Sequence, residues 1–595
     1  MAALGVLAKI RTPYAHTSLE IIRQRYGKIG HLIFIILNLV NNVFGCASMI
    51  LTGSQLVYGV SGMHFVAACI LIPLGVVIYT AVGGLKATFL TDFLHTFVAL
   101  ILIIYFTLSI LTHDAVGGLS GLYEKLKATA AENLIPGNYK GSLLTMKSED
   151  SIIWGLDLKF GNLALVLMDT AFWQKSFATE VNATVPGYNL AALAIFGIPW
   201  GLGTVIGLVA RALHNTPIFP TYPGDLTLAD INAGFVMPYT IQALLGSKGV
   251  VAFLVLVFMA LTSTVSSSMI AVSSILSFDV YKTYLNPKVT DQKLVKVSHL
   301  TVVLHGVFMS AVAIALNYGG ANLTWLGYFR PVLSCSGIIP LAFTLGWSGQ
   351  TRLAAVLAPV LGFLTGLAIW LSTAYHMYGE VTISTTGNPL PALYGAIGSF
   401  FSPALYSIVI SMWKPSRFDW REFLRVELAE EATLHEKPPR IVPAASSDYD
   451  KKQDGGVGTN SDTETSSSPD IKSSGHKQQD GIAKASETSG DVILPSVPSL
   501  DDVRHPFDEA ELKKLRRWER IAWIFFVVVV LVTFVAWPLP LYRDYIFTES
   551  FFSGWTTVAI MWQFFAFGAV VVFPVFDGRH AIAKGTRGVW NSLGL

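Results

Sequence analysis

Twelve long apolar stretches punctuate the sequence, at 32–55, 64–82, 90–111, 160–174, 190–209, 250–276, 300–316, 323–345, 353–371, 393–412, 521–541 and 552–576. A helix needs about 20 apolar residues to cross the hydrocarbon of a bilayer. Lipid offers no partner to an unpaired backbone group, so each stretch reads as a membrane-spanning helix. The fourth is short and opens beside Asp157 and Lys159. Composition agrees with this reading. Charged residues are 13% of the 595, against roughly 25% in a soluble domain, and 52% are hydrophobic. The expected class is an all-α polytopic membrane protein whose first partner is the lipid bilayer. A net charge of +2 gives no electrostatic footprint for nucleic acid.

Basic residues orient the spans. Arg11, Arg23, Arg25 and Lys28, then Lys86, Lys175, and Lys282 to Lys296 fall in alternate loops, as do Arg352, Lys513 to Arg517 and Arg579 to Arg587. The intervening loops hold few, apart from 112–150, where four lysines are balanced by acids. This asymmetry predicts both termini cytosolic, and it puts the glycosylation sequon at Asn182 on the cytosolic side. The chain divides into a membrane core at 1–413 with ten spans, a cytosolic stretch at 414–520, and two terminal spans at 521–595. Residues 446–490 hold almost no large apolar side chain and cannot bury enough surface to fold. They read equally as a plain linker or as a tail for regulatory kinases or trafficking factors. A candidate amphipathic helix at 418–432 and a basic one at 509–520 flank them.

Several polar groups inside the spans need a reason to be there. In the sixth, Ala260, Ser263, Thr264, Ser267 and Ala271 share one helical face. Such a face suits close helix packing, and it equally suits an alkali cation held by hydroxyls and an exposed carbonyl. In the fourth, Asn162 and Asp169 lie two turns apart on one face, with Gln174 nearby; an ionisable group in a span usually marks a pathway. Asn38, Asn41 and Asn42 put three amides in the first span, as helix glue or as pore lining. Arg330-Pro331 sits inside the eighth, where a freed carbonyl and a buried guanidinium both need partners. Asp92 opens the third span at its boundary. Cys46, Cys69 and Cys335 lie in apolar runs and read as packing thiols. No paired acid and base, metal-ligand cluster or nucleophile motif is present, so an enzyme is not expected, nor any cofactor beyond a coupling ion.

The motifs also carry a resemblance. The run Tyr79-Thr-Ala-Val-Gly-Gly-Leu-Lys-Ala-Thr-Phe-Leu-Thr-Asp92 resembles the signature loop of the solute:sodium symporter family, and Ser277-Phe-Asp-Val-Tyr-Lys282 resembles its other marker. Pro13-Tyr-Ala-His-Thr-Ser-Leu-Glu20, Asp169-Thr-Ala-Phe-Trp-Gln174, Phe219-Pro-Thr-Tyr-Pro223 and Phe552-Ser-Gly-Trp555 are similar to stretches of the fungal and plant high-affinity urea permeases within that family. The resemblance implies a leucine-transporter-like core of two inverted five-helix repeats with the substrate midway across the membrane. It also implies that the sixth span is the eighth core helix, with a sodium site at Ala260 (carbonyl), Ser263 and Thr264 (hydroxyls), and that Asn162 contacts substrate. Two departures stand out. Phe329-Arg-Pro-Val-Leu-Ser334 replaces an apolar, Gly-containing stretch. Residues 1–10 resemble the cytosolic end of the second core helix, so the first two core helices are expected upstream, on about two further spans. The 595 residues alone are then expected to fold poorly and not to concentrate urea.

The implied function is secondary active import of urea by alternating access, coupled to Na+ or H+. Dehydrating urea is costly unless its carbonyl and four N–H groups all find partners. Asp169, Asn162 and Asn41 are the expected polar partners, Trp173 an aromatic wall, and Asp92 part of the gate or ion path. The rival readings are a permease for polyamines or other small amines, and a membrane nutrient sensor that transports little.

Overall fold

All but the fourth of the spans expected from the sequence are continuous helices in the computed structural model, which describes residues 1–132, 134–424 and 505–579. In chain order the helices are α1 (Ala2–Arg11), α2 (Ser18–Ser61), α3 (Phe65–Gly84), α4 (Thr88–Leu111), α5 (Gly118–Ala128), α6 (Glu149–Leu167), α7 (Thr170–Ala178), α8 (Ala183–Leu213), α9 (Val236–Leu285), α10 (Asp291–Tyr318), α11 (Leu323–Gly346), α12 (Arg352–Tyr378), α13 (Pro389–Trp413), α14 (Glu509–Leu541) and α15 (Glu549–Asp577). Eleven are long and apolar enough to cross a bilayer, and α6 with α7, bent by 57°, makes a twelfth if the pair is one span. The tail 446–490 lies outside the described residues, as does most of the 418–432 segment. The basic segment 509–520 forms the beginning of α14 and is continuous with the span that follows.

The N-terminal arginines, counted above as loop charges, have a second use. Thr17 caps α2 by accepting from Glu20 N–H at 3.2 Å. Leu19, Ile21, Ile22 and Tyr26 bury one face of its first turns. Gly27 then turns the chain at φ 72°, a left-handed conformation that a Cβ disfavours. This sets Arg25 against the C-terminal end of α11, where it donates to the carbonyls of Phe343 (3.2 Å), Thr344, Trp347 (2.7 Å) and Gln350 (3.2 Å). Arg11 donates to the carbonyl of Leu345 and stacks 3.6 Å over the ring of Trp420. Two cations therefore satisfy a helix end whose last carbonyls have no intrahelical partner and carry partial negative charge.

The second family-like marker, 277–282, ties α9 to α2. Buried His31 meets Asp279 at 3.1 Å and the Tyr284 hydroxyl at 2.7 Å. Helices α12 and α13 approach so closely that a Cβ on Gly366 would stand 2.6 Å from Ser399 Cβ, the small-residue contact that lets helices pack in lipid. The terminal spans dock on the outside of this core. Gln563 of α15 donates to the Thr107 hydroxyl at 3.0 Å, and Lys159 of α6 reaches the Thr533 carbonyl of α14 at 3.2 Å. All three cysteines are buried and free.

Candidate functional site

The fourth span breaks where the sequence expectation placed a continuous helix. Helix α6 stops at Leu167 and α7 starts at Thr170, leaving Met168 and an extended Asp169 (φ −113°, ψ 116°) between them. A break in lipid frees backbone groups that must be paired internally, and three side chains do this. Asp169 caps α7 by accepting from Ala171 N–H at 2.9 Å. The Trp173 indole donates to the freed Leu167 carbonyl at 2.9 Å, and the Asn41 amide donates to the Met168 carbonyl at 3.2 Å. Thr170 donates to Asn38 Oδ1 at 3.2 Å, tying the same turn to α2.

Beside the break is a cavity of ≈ 260 Å³, room for roughly eight waters at ~30 Å³ each. Asn41 and Asn42 of α2, Asp92 of α4, Asp169 and Phe172 at the break, and Lys175 of α7 line it. The α9 hydroxyls of Ser263, Thr264, Ser267 and Ser268 close the other side. Four separate elements converge on it. Asn41 Oδ1 is buried with no partner, an acceptor left over after the amide nitrogen has been spent on the break. Asp92 and Lys175 form an ion pair at 2.8 Å, each about a quarter exposed (23% and 24%). Ser263 donates to the other Asp92 oxygen at 2.6 Å, and Lys175 also donates to Ser267 Oγ at 3.1 Å.

The structure brings together Asn41, Asp92, Asp169, Ser263 and Thr264 of the residues singled out from sequence, and it separates the others. Asn162 and Asp169 do not share a helical face, because the break intervenes; Asn162 is exposed and outside this cavity. Trp173 is fully buried behind the break, and the ring facing the cavity is Phe172. Ala260 is exposed and its carbonyl accepts from the Thr264 hydroxyl at 3.2 Å. Lys175 is no loop cation: it lies in α7 and reaches inward. Ser263 and Asp169 find partners in Asp92 and Ala171 N–H.

The expected sodium ligands do not fit sodium as they stand. Ser263 is committed to Asp92, Thr264 turns back on Ala260, and the Lys175 ammonium is bound to the same Asp92 carboxylate. A cation at the same oxygens would stand against a like charge only a few ångströms away, worth about 4 kcal/mol of repulsion at 4 Å and an effective dielectric of 20.

A second polar pair lies along the same helix. Asp157, read from sequence as the start of the span, is mid-helix in α6 and fully buried, and neither carboxylate oxygen has a partner. Arg330 of α11 is buried with its Nε unpaired. Its guanidinium lies 3.9 Å from where a Cβ on Gly161, one turn from Asp157, would stand. The two charges thus face each other across the α6–α11 contact without a direct ion pair.

Residues 3–362 match the Sodium:solute symporter family. The chain belongs to that family. A urea active transporter of Saccharomyces cerevisiae (strain ATCC 204508 / S288c) is 34% identical over 602 residues, spanning 100% of this chain and 80% of that protein. A urea-proton symporter of Oryza sativa subsp. japonica is 35% identical over 74% of this chain and 63% of its own length. The solved structure of a Na+-coupled sialic acid symporter in its substrate-bound outward-open state matches at TM-score 0.50 and 16% identity, covering 70% of this chain and 84% of that one. At that identity the likeness concerns the fold alone, which is the leucine-transporter-like fold expected from the motifs. The symporter is a multi-pass membrane protein and not an enzyme.

Proposed function

We propose that this symporter imports urea across the plasma membrane by cation-coupled alternating access, with both termini in the cytosol. The observation that carries this is the cavity beside the α6–α7 break. Asn41 Oδ1 and the Asp169 carboxylate accept urea N–H groups, Asn42 and the α9 hydroxyls complete its hydrogen bonds, and Phe172 covers a face. Every polar group of a small neutral amide is then matched, which offsets its dehydration. The names of the S. cerevisiae and O. sativa relatives support urea as the substrate. The inward-facing Lys175 ammonium weighs against a polyamine, since a dication would meet it at close range.

Rocking of one helix bundle against the other opens the cavity to each side in turn, and the α6–α7 break gives the site its hinge. The Asp92–Lys175 pair joins α4 to α7 and must part or shift when α7 moves, which makes Asp92 a gate residue. Of Na+ and H+, we take the proton as the coupling ion; the O. sativa relative is named for it, and a proton needs no vacant seat among these oxygens. The 446–490 tail is read as the surface offered to regulatory kinases or trafficking factors.

Radiolabelled urea uptake by the full-length gene product, in cells lacking their own permease, tests the reading. Urea should accumulate and unlabelled urea should compete, whereas excess spermidine should not. Spermidine accumulation without urea uptake would favour the amine permease, and uptake of neither the sensor.

A further inference from the structure

We propose that the cation seat of this symporter is filled from within: the Lys175 ammonium stands where a bound sodium ion would, so the protein does not bind sodium there. The argument is geometric. Asp92 on α4 and Ser267 on α9 present a carboxylate and a hydroxyl oxygen to one point, the donor chemistry that hard cations select. The group at that point is Lys175 Nζ, 2.8 Å from Asp92 Oδ2 and 3.1 Å from Ser267 Oγ, while Ser263 braces the other Asp92 oxygen at 2.6 Å. The Asp92 carboxylate is therefore neutralised by a covalently attached charge. A sodium ion at the same Asp92 and Ser267 oxygens would stand at contact distance from the ammonium, where like charges repel.

The tether matters as much as the charge. Lys175 is carried by α7, on the far side of the break from α6, whereas the oxygens it binds belong to α4 and α9. A free ion bridges these elements only when it is bound. A lysine bridges them whenever α7 is in this position and leaves them when α7 swings away, independently of any ion concentration. The contact that a sodium gradient would otherwise control becomes a fixed property of the chain.

Removing the ammonium should then expose a sodium site. The full-length gene product is purified with its Lys175→Met and Lys175→Arg variants, and thermal unfolding is followed as Na+ replaces N-methylglucamine at constant ionic strength. Sodium should leave the Tm of wild type and Lys175→Arg unmoved, and raise that of Lys175→Met saturably by about 2 °C or more. Equilibrium binding of radioactive sodium to wild type gives a reading even if Lys175→Met fails to fold, and none should bind. Saturable sodium binding by wild type, or a folded Lys175→Met that ignores sodium, overturns the proposal. The inference rests on the transport reading only for its uptake arm, in which Lys175→Met should need sodium for whatever urea it moves. Failure of urea uptake in every form would sink the urea assignment and leave the sodium-binding result standing.

Discussion

Asp169 both caps α7 and faces the cavity, and two substitutions separate these roles. Asp169→Asn keeps an oxygen for Ala171 N–H, and the amide caps about as well as the carboxylate, so thermal unfolding should hardly move while the urea KM rises. Asp169→Ala loses the cap as well, costing about 1 kcal/mol. Uptake kinetics beside unfolding of the purified proteins checks both, and an unchanged KM in the Asn variant would leave Asp169 as a cap alone. Asp157 and Arg330 make a different case. Replacing either one leaves the other buried polar group without the one it faces, at a cost of about 1–3 kcal/mol. The double change Asp157→Asn with Arg330→Gln removes both charges, so a double-mutant cycle should show a coupling of about 1 kcal/mol or more. Strict additivity would mean that the two do not sense each other.

At the scale of the element, the α6–α7 break depends on donors supplied from outside its own backbone. Trp173→Phe keeps an aromatic ring, smaller than the indole, and deletes the indole N–H, stranding the Leu167 carbonyl; it should cost about 1–3 kcal/mol for the lost bond in addition to the lost packing, read as a lower Tm. A Tm equal to wild type would show that the carbonyl finds another partner. Gly27→Ala tests the α2 kink: at φ 72° a Cβ is strained by roughly 1–2 kcal/mol, and the shift would also disturb Arg25 on the α11 end. The spans themselves were legible because length and apolarity decide them. The break was not, because apolar residues on both sides let 160–174 read as one run despite its polar members; its traces were the shortness of that run and Asp169-Thr170, a cap residue followed by a helix start. Lys175 was misread for a related reason. Counting charges to orient spans treats every lysine as a loop marker, whereas a long stem lets a lysine in a helix carry its ammonium to a distant partner. Asn41 and Asn42 were ambiguous between glue and lining, and Asn41 does both, with one end of its amide on each task.

At the scale of the whole molecule, the small-residue face of α9, the α6–α7 break and the amides of α2 surround one polar cavity, and the Asp92–Lys175 pair links its walls. The account's central claim is that this cavity moves urea uphill without sodium. Proteoliposomes holding the full-length gene product, acidified outside and free of sodium on both sides, test it most directly. The account predicts that radiolabelled urea rises inside above its external concentration and falls back when a protonophore is added. Simple equilibration of urea, or accumulation that appears only when a sodium gradient is imposed, would contradict it.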